Sequence, residues 1–290
     1  MVSNANTDVF SNDTFVRGVY QVYSLNMSSI GRIRSAYLTD RGQVRDHNED
    51  FVIGHEPQNK EQEAQNGWLY IVADGVGGAD AGEVASSYAS EKTILHFLQS
   101  ADTADMGTRL KKAIESAHYD LCTLIDERQD DRRMGTTIVA TAIQEDSVAI
   151  ANVGDSRGYL ISNGTITQIT KDHSLIAKLL EEGIVTADEA DALNIGNIIL
   201  QSIGSEQTPV VDIFKLSLKA NDCIVLCSDG LTNHVTDSEI NEIVSNQSPG
   251  DATKILVDLA NERGGHDNIT VLVLKYDDLP SASANGTGSA

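Results

Sequence analysis

Two rhythms of apolar positions share most of this chain. Leu110, Ile114, Ala117, Leu121 and Leu124 recur at helical spacing, which predicts an amphipathic helix over 110–125. A second stripe, Ala252, Ile255, Leu256 and Leu259, runs through 251–265 and stops at the pair Gly264-Gly265. A third helix is expected to begin near Ala81. Short runs of strand character lie between: 68-WLYIVA-73, 147-SVAIANV-153, 157-RGYLI-161, 223-CIVLC-227 and 269-ITVLVLKY-276. Several strands follow closely within 137–170, where Asn163-Gly164 reads as a hairpin turn. Such close succession favours antiparallel pairing in an α+β fold over regular βαβ alternation.

Residues 1–30 are rich in Asn and Ser, show no sustained period, and read as an N-terminal extension. A chain starting at Met27 is therefore expected to fold and keep its activity. Residues 278–290 read as a disordered tail of small residues. The stretch 31–277 between them shows no linker and no internal repeat, so it reads as one domain.

Hydrophobic residues make up 40% of the 290, enough for a sizeable core. Charge narrows the function further. Lys and Arg number 21 against 43 Asp and Glu, a formal net charge of −22. Nucleic acid and anionic membrane are poor partners for such a surface, whereas cations are good ones. Three cysteines, Cys122, Cys223 and Cys227, are too few for a disulfide framework and read as reduced thiols, with Cys223 and Cys227 as small buried hydrophobes. No apolar run approaches the roughly 18 residues of a spanning helix, and the amino terminus lacks the basic start and apolar core of a signal peptide. The expectation is a soluble, cytoplasmic monomer.

Acids recur where the strand runs end. Asp74 follows WLYIVA, Asp155 follows VAIANVG, and Asp229 follows CIVLCS; Asp267 precedes ITVLVL, and Glu49-Asp50 precede 51-FVI-53. One Asp-Gly at a strand end is ordinarily a turn. Five strand termini bearing acids imply carboxylates converging at one edge, with repulsion of roughly several kcal/mol unless cations neutralise it. Oxygen donors without paired His or Cys favour Mg²⁺ or Mn²⁺. Two such ions bridged by a carboxylate and a water make hydroxide available near neutral pH, the chemistry that hydrolyses phosphate esters. Arg45, four residues before Glu49, can hold a phosphate bidentately at the rim of such a cluster. The glycine-rich stretch DGVGGADAG is no phosphate loop, because it matches neither glycine fingerprint and no lysine follows. Its glycines instead let the backbone pass close to bound ions, with the Gly75 carbonyl available as a ligand.

These segments resemble the metal-dependent Ser/Thr protein phosphatases of the PP2C (PPM) family, in their bacterial form. The matching stretches are 39-TDRGQVRDHNED-50, 73-ADGVGG-78, 134-MGTTIVA-140, 152-NVGDSRGYL-160, 170-TKDHS-174, 228-SDGLTNHV-235 and 265-GHDNITV-271, in family order. The resemblance implies an α-β-β-α sandwich of two stacked antiparallel sheets flanked by helices, with a metal site in the cleft at one edge. It implies that Asp74 bridges two catalytic metals, that the Gly75 carbonyl binds one, and that Asp229 and Asp267 complete a metal site. By the same likeness Glu49 and Asp50 act there directly or through water, Asp155 holds a third ion, and Arg45 binds the substrate phosphate. Asp74 and Arg45 are thus the catalytic candidates. A flap is implied over about 176–203, acidic and helix-forming.

The implied reaction is one-step hydrolysis of phosphoserine or phosphothreonine in proteins by a bridging hydroxide, with no phosphoenzyme. Phosphorylated proteins are the implied partners, a Ser/Thr kinase among them, and the enzyme would oppose such a kinase. Many eukaryotic members carry a proton-donating His where this chain has Val76. A metal-bound water is the preferred general acid, with His47 and His173 as alternatives. The competing reading, an inactive relative that only binds phosphorylated partners, would be marked by a missing metal aspartate, and none is missing.

Overall fold

In the computed structural model, which describes residues 21–27, 32–77, 81–100, 105–128, 134–186, 189–190 and 198–277, the strand runs pair into antiparallel sheets. The strands are β1 (Gln21–Met27), β2 (Ile33–Asp40), β3 (Phe51–His55), β4 (Trp68–Ala73), β5 (Gly75–Val76), β6 (Gly135–Thr136), β7 (Ile138–Gln144), β8 (Ser147–Val153), β9 (Arg157–Ser162), β10 (Thr165–Gln168), β11 (Asp212–Ser217), β12 (Cys223–Cys227) and β13 (Ile269–Tyr276). One sheet has the order β1-β2-β13-β12-β9-β10 and the other β11-β8-β7-β4-β3, while β5 and β6 form a small ladder of their own. The helices are α1 (Lys60–Asn66), α2 (Ala81–Gln99), α3 (Met106–Arg128), α4 (Leu175–Glu181), α5 (Asp229–Thr232), α6 (Asp237–Asn246) and α7 (Pro249–Glu262).

Side-chain alternation builds the layers. In β4, Tyr70 and Val72 turn inward to meet Leu226 of β12 and Leu272 of β13 between the sheets. Leu69, Ile71 and Ala73 turn outward, where Ala85, Phe97, Leu110, Ile114 and Leu121 of α2 and α3 cover them. In β12 the same alternation sends Ile224 and Leu226 inward and Cys223, Val225 and Cys227 outward against Leu231, Ile240, Val244 and Leu256. The result is helix on sheet on sheet on helix, the architecture the resemblance implies. Each fully buried Leu or Ile contributes roughly 1.5–3 kcal/mol to holding the layers together. Both strand cysteines are buried free thiols.

The three predicted helices are present as α2, α3 and α7, and helix ends, including those of the unpredicted α6, have local causes. Helix α6 opens with a capping box between Thr236 and Glu239, and α7 opens on Ser248 followed by Pro249. Gly264 and Gly265, just past α7, both have positive φ, at 127° and 50°. Asn163 and Gly164 join β9 to β10 with φ of 52° and 74°, the mirror-image turn such hairpins prefer.

Several elements were not legible, β2, β11 and α6 among them, and the amino terminus departs from its reading. Periodicity assigns residues 1–30 no strand, yet β1 lies there and pairs with β2 from Gln21–Thr39 to Met27–Arg34. The backbone pairing shifts register between Tyr23 and Asn26, an irregularity that interrupts a strict period of two. The expected tail, 278–290, lies outside the described residues, as do 187–188 and 191–197 of the expected flap. Among the described residues, no helix is long and apolar enough to cross a membrane.

Candidate active site

Antiparallel pairing decides where the acids meet. It places the start of one strand beside the end of its neighbour, so acids before β3 and after β4 become adjacent. Phe51 pairs with Ala73, which sets Asp50 next to Asp74. Val72 pairs with Val139, and Ile138 with Val153, so Asp155 just beyond β8 reaches the same end of that sheet. In the other sheet, Ile269 pairs with Asp40 and Val271 with Cys227, bringing Asp267 and Asp229 to one end. These ends face each other, for the charges of Asp50, Asp229, Asp155 and Asp267 all act on Asp74.

Backbone hydrogen bonds hold the site. The Asp74 amide donates to Thr137 Oγ1 at 2.9 Å, and its carbonyl accepts from the Thr137 amide at 2.8 Å and Thr136 Oγ1 at 2.9 Å. The Glu49 carbonyl accepts from the Gly75 amide at 3.1 Å and from Ser86 Oγ at 2.6 Å. Here the glycines are needed for close approach. A Cβ on Gly75 would lie 2.3 Å from the Gly82 carbonyl oxygen and 2.5 Å from that of Glu49, and one on Gly82 would meet the Glu49 carboxylate at 2.8 Å.

Burial and mutual repulsion perturb the acids together. Burial, then the charges of Asp50, Asp229, Asp155 and Asp267, holds Asp74 well above the usual carboxylate range. Asp50 is pushed up to about 7, chiefly by burial, although hydrogen bonds from Thr270 and Ser228 favour its charged form. Asp155 also rises to about 7, from burial and then the charges of Asp229 and Asp172. Burial raises Asp229 and Glu49 as well, the latter offset in part by the positive charge of Arg45. Four buried oxygens of this group, Glu49 Oε1, Asp50 Oδ1, Asp155 Oδ1 and Asp229 Oδ1, have no hydrogen-bond partner. Orphaned carboxylate oxygens crowded among like charges are the donor set that a hard divalent cation satisfies. No three His, Cys, Asp or Glu side chains among the described residues already form a coordination sphere. The fit to metal rests on the orphan oxygens and the shared charge.

The sequence profile of Protein phosphatase 2C matches residues 37–179. The serine/threonine phosphatase stp of Listeria monocytogenes is 38% identical over 251 residues, spanning 84% of this chain and 96% of that protein. The chain belongs to the protein phosphatase 2C family. Two solved structures extend the likeness to the fold. Serine/threonine phosphatase Stp1 from Staphylococcus aureus superposes with a TM-score of 0.76 at 32% identity, covering 89% of this chain and 100% of that one. The catalytic domain of serine/threonine protein phosphatase PstP, solved in complex with two manganese ions, gives 0.72 at 33% identity, covering 85% and 99%. This protein phosphatase 2C chain is accordingly an enzyme.

The other candidate residues lie around these acids. Arg45 is exposed, and its Nη2 donates to Asp267 Oδ2 at 2.7 Å. His173 has both ring nitrogens engaged, Nδ1 accepting from the Gly154 amide and Nε2 facing Asp212 Oδ2, each at 3.2 Å, so it braces the loop that carries Asp155. His47 is exposed and close enough for its charge to act on Glu49. Sequence reasoning missed the polar residues that hold the acids: Thr136, Thr137, Asn268 and Ser228, whose Oγ donates to Asp50 Oδ2 at 2.7 Å. Each lies in a segment that carries the family likeness, and their signal is a hydroxyl or amide at the very end of an apolar strand.

Proposed function

We propose that this enzyme hydrolyses phosphoserine and phosphothreonine in proteins, with two divalent cations held by Asp74, the Gly75 carbonyl, Asp229, Asp267, Glu49 and Asp50. The observation that carries the reading is the set of four buried carboxylate oxygens without hydrogen-bond partners in the acid cluster that holds Asp74. Bound there, Mg²⁺ or Mn²⁺ would neutralise the acids and lower the pKa of a water so that hydroxide is available to attack phosphorus near neutral pH. The two manganese ions of PstP support a two-ion centre, and the orphan Asp155 oxygen supports a third. The names of the relatives support phosphoprotein substrates, and with them a role opposing a Ser/Thr kinase.

Arg45 orients the substrate. Its exposed guanidinium stands at the rim beside Asp267, where it can hold two phosphoryl oxygens with phosphorus facing the acids and the ester oxygen directed away from them, opposite the attacking water. No covalent phosphoenzyme is needed. The hydroxyls among the acids, on Ser228, Thr136 and Thr137, are all occupied in holding the scaffold. The proton for the departing serine or threonine is assigned to water, because Val76 has none to give and His173 is engaged elsewhere; His47, exposed near Glu49, is the alternative donor.

Phosphate release from a phosphothreonine peptide tests the reading, measured after chelation and after Mn²⁺ is restored. Wild type should lose and regain activity, whereas Asp74→Asn should stay inactive at saturating Mn²⁺ while remaining folded. Turnover that survives chelation, or an Asp74→Asn enzyme with wild-type turnover, would overturn it.

A further inference from the structure

We infer that Asn268 is a positioning residue for substrate phosphate, acting through the loop that carries Arg45; the inference rests on the phosphate role proposed for that arginine. The loop of residues 41–50 between β2 and β3 has no regular structure, and residues 43–47 are exposed, so packing does little to hold Arg45 in place. A buried carboxamide makes more of the loop's hydrogen bonds than any other side chain. Asn268 Nδ2 donates to the carbonyls of Arg41 and His47, each at 2.9 Å, and Oδ1 accepts from the Glu49 amide at 2.8 Å. Arg41 and His47 lie on either side of Arg45, so a single planar group pins both flanks of its loop. The side chain is only 4% exposed, and all three of its bonds go to this one loop.

The residues around Asn268 reinforce the docking. The Gln43 amide donates to the Gly265 carbonyl at 2.8 Å, and Asp267 receives the Arg45 guanidinium. The chain just before β13 therefore serves as the seat of the loop, and Asn268 is its deepest contact. Asparagine suits the position because the loop needs two donors and one acceptor from one short side chain. Aspartate would keep the acceptor and lose both donors. Without the carboxamide, the Arg41 and His47 carbonyls and the Glu49 amide would find water, and the loop would sample positions in which Arg45 misses the phosphate.

A residue that only supported the fold would lower the melting temperature and the active fraction, leaving KM alone. The test is steady-state kinetics on a phosphopeptide at saturating Mn²⁺, with inhibition by inorganic phosphate, for wild type, Asn268→Ala, Asn268→Ser, Arg45→Ala and Arg45→Ala/Asn268→Ala. Asn268→Ala should raise KM and the phosphate inhibition constant about three- to tenfold, with kcat within about twofold of wild type. On the Arg45→Ala background the same change should add no more than about twofold, since its effect runs through the arginine. If Asn268→Ala does not fold, the small uncharged Asn268→Ser is measured in its place. Reduced kcat with unchanged KM, or a KM effect that adds in full to that of Arg45→Ala, would make Asn268 merely structural. An Arg45→Ala enzyme with normal KM would instead refute the phosphate role of Arg45, and this inference with it.

Discussion

Arg45 Nη2 donates to Asp267 Oδ2 at 2.7 Å, across 222 residues of sequence, so the guanidinium proposed for phosphate already pairs with an acid proposed for metal. The two side chains are partly exposed, and in solvent such a pair alone adds little to stability. Its interest is competition: a cation approaching Asp267 must share that carboxylate with the arginine.

Arg45→Ala should therefore do two things. Losing a charge-assisted phosphate contact costs about 1.5–3 kcal/mol, or roughly ten- to hundredfold in kcat/KM, carried mainly by KM. Removing the competing charge should lower the Mn²⁺ concentration needed for half-maximal activity, or leave it unchanged. Titrating Mn²⁺ at several phosphopeptide concentrations measures both. A higher metal requirement would contradict the competition.

Asp155→Ala should fail differently. The residue is buried, carries an orphan oxygen and contributes to the charge around Asp74. If it holds a third ion, its loss leaves the two core ions and substrate affinity nearly intact and lowers kcat. Calorimetry should count one ion fewer. An unchanged count, or a rise in KM alone, would make Asp155 a structural turn residue.

The raised acids also predict how the chelated protein responds to pH. Asp50 and Asp155 titrate at about 7 in the fold, chiefly through burial, against roughly 3.9 for an unfolded aspartate. Between those values the folded state holds protons that the unfolded chain has released. Their contribution to stability is thus complete below about pH 4 and is lost as pH rises toward 7. Chelated protein should melt at a higher temperature at pH 5.5 than at pH 7.5, and Mn²⁺ should flatten the slope. Asp155→Asn should make it shallower. Calorimetric melting across this range checks the sign, and chelated protein that gains stability as pH rises would count against the buried cluster.

A chain beginning at Met27 should be less stable than the longer one, contrary to the expectation from periodicity. Truncation there removes nearly all of β1 and leaves β2 as an unpaired edge. Comparing melting temperatures of the two chains decides the point; equal values would show that β1 contributes nothing.

The helices near 81, 110 and 251 were legible because a period of 3.6 is local and survives in any tertiary context. The central strands were legible as well, since β4 and β12 are buried on both faces and read as unbroken apolar runs. Acids at strand ends could be seen one at a time, and their number implied convergence. What a one-dimensional pattern does not contain is which strand ends share an edge, because that follows from register: Phe51 against Ala73, Ile269 against Asp40. Thr137 beneath Asp74, Asn268 beneath the Arg45 loop and Arg45 against Asp267 meet partners 63 to 222 residues away. Sequence determined the periods, the charge and the chemistry at hand. Only the tertiary structure decided which donors face which acceptors, because a hydrogen bond depends on distance and angle in space and leaves no period along the chain.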